Sequence, residues 1–463
     1  MPTEPSTLAQ TLQKRRQKLA QLIDIPVILW SGQAPARNFP NNPFPFRASS
    51  HFLYFAGFPL ENVAIRLENG KLSLFKDDAS SDSILWHGEM PTGEEIAQFI
   101  GADAAYPLAE LASQAEGAAT IAVQDKQTYQ QQIETLNRAV NVAPQGIDLQ
   151  LAKAIISLRL ICDSYALTEL RQAALVSVQA HKIGMATTLN VRTEAEVRGA
   201  MEGVIIANNM TCAYSSIVTT QGEILHNEDY GYPLQTGDLL LADVGAETEM
   251  GWASDITRTW PVRGKFSPTQ RAIYDVVLAA HDACIDKVAP DVEYQDIHLL
   301  AASILTEGLV DLGILLGRVE DLIEIDAHAL FFPHGIGHLL GLDVHDMEDL
   351  GDLAGYEVGR ERSDRFGLSY LRLNRPLKSG MVITIEPGFY QIPTLLNNPK
   401  HRAKYHSVVN WELLTQFSDV RGIRIEDDVL VTQGGREVLT IELPTKAEAI
   451  EQLVQGRLRQ FTG

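Results

Sequence analysis

From Thr7 to Leu22 apolar positions recur at helical spacing, and an apolar run from Ile25 to Trp30 follows, closed by a polar turn at Ser31 and Gly32. A helix, then a strand, then a turn predicts the start of an α/β domain. Val63 to Leu67 and Leu72 to Phe75 are strand-like on either side of Asn69-Gly70, a hairpin signal. Between these elements lies NNPFPFRASSHFLYFAGFP, whose rings could pack in the core or wall a pocket, with core packing the favoured expectation for any one of them, as for Trp86 in the later ILWHGE turn. The polar, helical stretch from Lys126 to Ala152 ends this part. A new domain is expected to begin near Leu158, where a long helical pattern runs through Leu170, Ala173, Ala174 and Val178 toward Met185. Thr193 with Glu196 has the spacing of a capping box and predicts a further helix. This pattern predicts an N-terminal mixed α/β domain over residues 1–155 and a second domain over 156–463.

The second domain carries the chemistry. In GDLLLADVGAETEMGWASDITRTW an apolar run ends at Asp243, and a second strand is expected to carry Asp255. MVITIEPG places Glu386 after another apolar strand. GIRIEDDVLV alternates, and period two puts Arg424 and Glu426 on one face. The segment FFPHGIGHLLGLDVHD gathers His334, His338 and His345, with Gly335 and Gly337 arguing against a helix. A carboxylate at the end of a hydrophobic strand is costly to bury unless it is paired or binds a cation, so Asp243 needs a partner. Taken singly, each acid reads as a structural or surface carboxylate. Taken together, two Asp, two Glu and His338 are a donor set suited to Mn, Co, Fe or Zn, and four carboxylates balance two divalent ions.

Composition narrows the partners. The 463 residues, 45% of them hydrophobic, suffice for two or three domains with substantial cores. A formal net charge of −21 repels phosphate backbones and anionic lipid, which argues against nucleic acid and membranes. Cys162, Cys212 and Cys284 are scattered, with no CxxC pair, and suggest neither a disulfide framework nor a zinc knuckle. Lys14, Arg15, Arg16 and Lys18 are not followed by the apolar core of a signal peptide, and no apolar run of about 20 residues occurs, so a cytoplasmic protein is expected.

At these residues the chain resembles the pita-bread fold metallopeptidases, specifically the proline-directed group of aminopeptidase P and prolidase. The motifs are LHNE at His226, LLADVG at Asp243, SDITRT at Asp255, PHGIGHLLGLDVHD from His334 to Asp346, TIEPG at Glu386 and GIRIEDD at Glu426, in the family's order. The resemblance implies a curved, mainly antiparallel catalytic sheet covered by helices. It implies two divalent metal ions, manganese foremost, with Asp243, Asp255, His338, Glu386 and Glu426 as ligands and Asp255 and Glu426 bridging. It also implies Glu386 as general base and acid, His345 at the oxyanion, and His226 and His334 around the scissile group and proline ring. The substrates would be proline-containing peptides, and the assembly a homo-oligomer, dimer or tetramer.

Two features complicate the likeness. Asp243 to Asp255 is a step of 12 residues, one more than is usual in the family, and a bulge or longer turn must restore the register. The intervals from His345 to Glu386, 41 residues, and from Glu386 to Glu426, 40 residues, look like prolidase. So does YLRLNRPL, where Arg372 is a candidate to grip a substrate carboxylate, with an ordinary loop arginine as the competing reading. FPFRASSHFLYFAGF resembles the amino-terminal domain of aminopeptidase P, which short methionine aminopeptidases lack. That domain-wide likeness favours an Xaa-Pro aminopeptidase over an Xaa-Pro dipeptidase. A creatinase-like hydrolase or a noncatalytic module on the same fold should have lost ligands that are intact here.

Overall fold

The computed structural model describes residues 5–456. They form two compact units, one comprising residues up to Leu167 together with 249–251 and 347–354, the other the remainder. Among the described residues no helix is long and apolar enough to cross a membrane.

In the first unit β1 (Val27–Trp30), β2 (Ala64–Glu68), β3 (Lys71–Phe75) and β4 (Ala104–Tyr106) make a four-stranded sheet in that order. The first three are antiparallel neighbours, and β4 adds in parallel to β3. β1 is buried along its whole length, which is why VILW reads as a continuous apolar run rather than an alternation. The helix Pro5–Leu22 buries Leu8, Leu12 and Leu19. The hairpin expected at Asn69-Gly70 joins β2 to β3, with both turn residues at positive φ, 51° and 76°.

The aromatic residues divide: core packing, the favoured expectation for each, holds for some and fails for Trp86. Phe52, Tyr54 and Phe55 are buried on the helix Ser50–Ala56, whereas Phe44 is exposed. Trp86 lies on the seven-residue helix Ser81–His87, which has no buried residue, and its side chain is 80% exposed. A helix this short with no covered face offers the indole nothing to pack against.

The second unit contains the helix Glu194–Ala207, capped as expected: Thr193 Oγ1 accepts from the Glu196 N–H, and the Glu196 carboxylate accepts from the Thr193 N–H. Its strands are β5 (Thr211–Cys212), β6 (Ile217–Thr219), β7 (Leu239–Asp243), β8 (Ala246–Glu247), β9 (Thr257–Pro261), β10 (Val382–Ile385), β11 (Gly388–Tyr390), β12 (Gly422–Arg424), β13 (Asp427–Thr432) and β14 (Gly435–Val438). They pair as β6-β7-β9, β5-β8, β10-β13-β14 and β11-β12, antiparallel throughout. The helix Pro268–Lys287 lies against β10, β11 and β12.

Two expected strand residues fall outside strands. β9 begins at Thr257, so Asp255 precedes it, and Asp243 pairs with Thr257 instead. The residues between make an excursion through β8, bridged at Glu247 and Ala253. GIRIEDDVLV is interrupted at Ile425 and Glu426 because the backbone changes partners there. Ile425 N–H donates to Pro387 O and Glu426 N–H to Thr257 O, after which β13 continues alongside β10.

Candidate metal centre and active site

The register of the strands explains why distant acids meet. β7 is buried throughout and ends at Asp243, and the antiparallel β9 begins opposite it, which brings Asp255 to the same end. β10 is likewise buried, and its last residue Ile385 faces Asp427, so the next residue, Glu386, emerges beside Glu426. The glycine-rich segment runs along β10: Thr384 N–H donates to His338 O, and Glu386 N–H to Ile336 O. That close approach requires Gly337, at φ 153°, where a Cβ would lie 2.2 Å from Thr384 O.

Side chains from these segments converge on a cavity of about 100 Å³. Asp243, Asp255, His338, Glu386 and Glu426 line it, as do His226, His334 and His345, and so do Arg372 and Arg424. All ten residues singled out in the sequence are therefore brought together. His338 Nε2 stands 3.3 Å from Asp255 and 3.7 Å from Glu386. His338 Nδ1 donates to Leu339 O at 2.9 Å, which leaves the Nε2 lone pair facing the acids. Asp255, His338 and Glu426 each present a donor atom within 4.8 Å of the other two.

Asp243 has the partner that its burial demanded. Arg424, itself buried, donates to its carboxylate, to Tyr390 Oη at 3.1 Å and to Thr257 Oγ1 at 2.9 Å. Thr257 Oγ1 in turn donates to Glu426 at 2.6 Å, so Arg424 and Glu426 share one face as the alternation required. The hydroxyl of Tyr214 lies 2.6 Å from Asp243 and 2.5 Å from Asp255. Tyr214, Tyr390 and Thr257 were not found by sequence reasoning. Only Thr257, two positions beyond Asp255, carried a signal, through period two.

The electrostatics are those of a crowded anionic pocket. Burial, then the charge of Asp243, pushes the Asp255 carboxyl up to about 7. Burial also pushes Glu386 up to about 7, and Glu426 well above the carboxylate range, with Asp255 and Glu386 adding repulsion. Three acids that resist ionisation in each other's company, Asp255 and Glu426 buried and Glu386 partly so, facing an imidazole lone pair, are a donor set that divalent cations would relieve. The residues fit such ions. By contrast His334 is depressed to about 3 by burial and then by Arg424. It is a neutral ring at working pH, donating through Nδ1 to Gly335 O and accepting at Nε2 from Tyr390.

Comparison with known proteins gives the family. Residues 168–433 match metallopeptidase family M24, and residues 12–126 match the N-terminal domain of aminopeptidase P. The chain belongs to metallopeptidase family M24. This M24 enzyme is 33% identical over 436 residues to a probable Xaa-Pro aminopeptidase of Sordaria macrospora, covering 89% of this chain and 87% of the relative. It is 31% identical over 463 residues to the human Xaa-Pro dipeptidase, covering 94% and 90%. Among solved structures it is similar to Escherichia coli aminopeptidase P with the inhibitor Pro-Leu, at TM-score 0.79 and 28% identity over 98% of this chain and 99% of that one. Aminopeptidase from Pseudomonas aeruginosa is similar at TM-score 0.77 and 28% identity, over 97% and 98%. The M24 metallopeptidase thus has the pita-bread fold with an aminopeptidase P type N-terminal domain.

Proposed function

We propose that the protein is an Xaa-Pro aminopeptidase that removes an N-terminal residue preceding proline, using two divalent cations, manganese by preference. The observation that carries this reading is the convergence of Asp243, Asp255, His338, Glu386 and Glu426 on one cavity that also holds three further histidines. These five residues would hold the ions, with Asp255 and Glu426 shared between them. When bound, the ions supply the positive charge that acidifies an attacking water and polarises the scissile carbonyl.

The protein's own groups do the rest. Glu386 accepts the proton of the attacking water and passes it to the leaving proline nitrogen. His345 donates to the oxyanion of the tetrahedral intermediate. His226 and His334 position the scissile group and the proline ring, which has no amide N–H to be gripped. His334 suits this because its neutral ring is locked between Gly335 O and Tyr390. Arg424 and Tyr214 keep Asp243 and Asp255 aimed inward.

An Xaa-Pro dipeptidase is the second reading. It is favoured by the likeness to the human dipeptidase across most of the chain and by the presence of Arg372 on the cavity wall, where a guanidinium would grip a free carboxylate. The catalytic domain would span 156–463, and the enzyme would act in the cytoplasm as a dimer or tetramer. The deciding experiment assays purified protein on Xaa-Pro-Xaa and Xaa-Pro peptides with metal content measured alongside. Two metal equivalents and cleavage of the tripeptide at least comparable to the dipeptide are expected. Strict dipeptide cleavage makes it a dipeptidase, and no hydrolysis by metal-loaded protein overturns both readings.

A further inference from the structure

Three acids stand in a row at Glu426, Asp427 and Asp428; the first lines the cavity and the other two do not. Successive side chains of a strand point to opposite faces, so the second and third go different ways. Asp427, the first residue of β13, lies 2.9 Å from His281 of the helix Pro268–Lys287 and accepts from Arg258 at 2.8 Å. Its charge is matched by a fully buried guanidinium. Asp428 is as deeply buried and spends its oxygens elsewhere: Oδ2 accepts from Ser254 Oγ at 2.7 Å, and Oδ1 accepts from the Asp255 N–H at 3.1 Å.

These two bonds meet a local need. Asp255 precedes β9, whose pairing with β7 begins at Thr257, and its N–H reaches a side-chain carboxylate rather than a strand carbonyl. A buried amide N–H left without an acceptor is destabilising. Its neighbours are fixed by the backbone: Ser254 N–H donates to Ala246 O, and Val244 N–H to Ile256 O. The approach is close enough that a Cβ on Gly245 would lie 1.8 Å from Ser254 O. At the other end Asp428 pairs with Thr384 of β10, and its own N–H donates to Thr440 Oγ1 at 3.2 Å. Its carboxylate thus ties the backbone of Asp255 to a strand that starts directly after Glu426. We infer that Asp428 is a positioning residue, which together with Ser254 fixes the spacing of Asp255 and Glu426, the two carboxylates proposed to be shared by the ions. Asp428 does not line the cavity, so it acts through Asp255 and not as a ligand. The inference rests on the two-ion reading above.

The test titrates full-length, chelator-stripped protein with Mn2+ alone, following bound equivalents, affinity and the electron paramagnetic resonance spectrum. Two Mn2+ ions that share carboxylates are magnetically coupled, and their spectrum differs from that of two isolated ions. The parent is expected to bind two equivalents and to show the coupled spectrum. Asp428→Ala is expected to bind Mn2+ about 10-fold or more weakly and, once saturated, to show an altered or uncoupled spectrum. Asp428→Asn keeps an amide oxygen for the Asp255 N–H and an amide N–H for Ser254 Oγ, and is expected to restore affinity and spectrum toward the parent. A parental spectrum in Asp428→Ala, whatever its melting temperature, overturns the inference alone, as do equal losses in the Ala and Asn variants. A parent that binds fewer than two ions, or two uncoupled ones, overturns the shared-ligand reading and the inference together. If Asp428→Ala does not fold, Ser254→Ala takes its place, since it removes one hydroxyl and leaves a carboxylate oxygen without its donor. It is expected to weaken Mn2+ binding by about 10-fold with an altered coupled spectrum, and parental affinity and spectrum there overturn the inference.

Discussion

Replacing Tyr214 with phenylalanine removes one oxygen and leaves the ring, yet that oxygen touches two of the five candidate ligands. It lies 2.6 Å from Asp243 and 2.5 Å from Asp255, and Tyr214 is held far above its usual pKa by burial and then by the charges of Asp243 and Asp255, so it remains a proton donor. A single phenolic proton supports one charge-assisted hydrogen bond at a time, worth about 1.5–3 kcal/mol. Converted at 1.4 kcal/mol per tenfold, this corresponds to a loss of roughly 10- to 100-fold in metal affinity, in kcat/KM or in both, the range typical of groups that orient metal ligands. The assay titrates chelator-stripped protein with Mn2+ while following tripeptide hydrolysis, for the parent and Tyr214→Phe. Arg424 still holds Asp243 in the variant, so the loss should fall mainly on Asp255 and appear as weaker binding of the ions it would hold. Metal affinity and kcat/KM both within a factor of two of the parent would refute the claim that the hydroxyl orients these carboxylates.

Further outcomes follow from the same geometry. Asp255→Ala or Glu426→Ala should abolish hydrolysis, because each removes a carboxylate that on the proposed reading is shared, which would leave the two cations repelling each other. Near-parental activity with two metals bound in either variant would sink that ligand assignment. Arg372→Ala should spare tripeptide cleavage more than dipeptide cleavage, read as the ratio of kcat/KM values, since the longer substrate presents a neutral amide where the dipeptide has its carboxylate. An unchanged ratio means that Arg372 does not contact the substrate carboxylate. For Asp349 the folded pKa of about 2 lies below the ordinary carboxylate value, so its stabilising contribution is present above about pH 4 and is lost as pH falls toward 2. The melting temperature of the parent should therefore drop more steeply across that window than that of Asp349→Asn, and parallel profiles would contradict the pairing of Asp349 with His51 Nε2 at 2.9 Å.

Much of the site was legible before folding because its chemistry is written locally. An acid that ends an apolar run, as at Asp243 and Glu386, is improbable by composition and expensive to bury, so each flags itself without reference to any other residue. Two glycines beside His338 announce close backbone contact in the same way, and Asn69-Gly70 between two apolar alternations specifies its own turn. Other features depend on which surfaces meet, and no local pattern carries that information. Tyr214 is a lone tyrosine in a short segment until the fold sets its hydroxyl between Asp243 and Asp255. Trp86 looks like core by residue type and stands exposed because its helix buries no face. Asp255 and Glu426 sit outside the strands expected for them because the backbone changes hydrogen-bonding partners there, a choice made by segments far away in sequence. The same holds for residues 249–251 and 347–354, which are contiguous with the catalytic chain yet packed in the first unit. Residue type and period report the cost of burying each side chain, whereas long-range packing alone decides which neighbour offsets that cost.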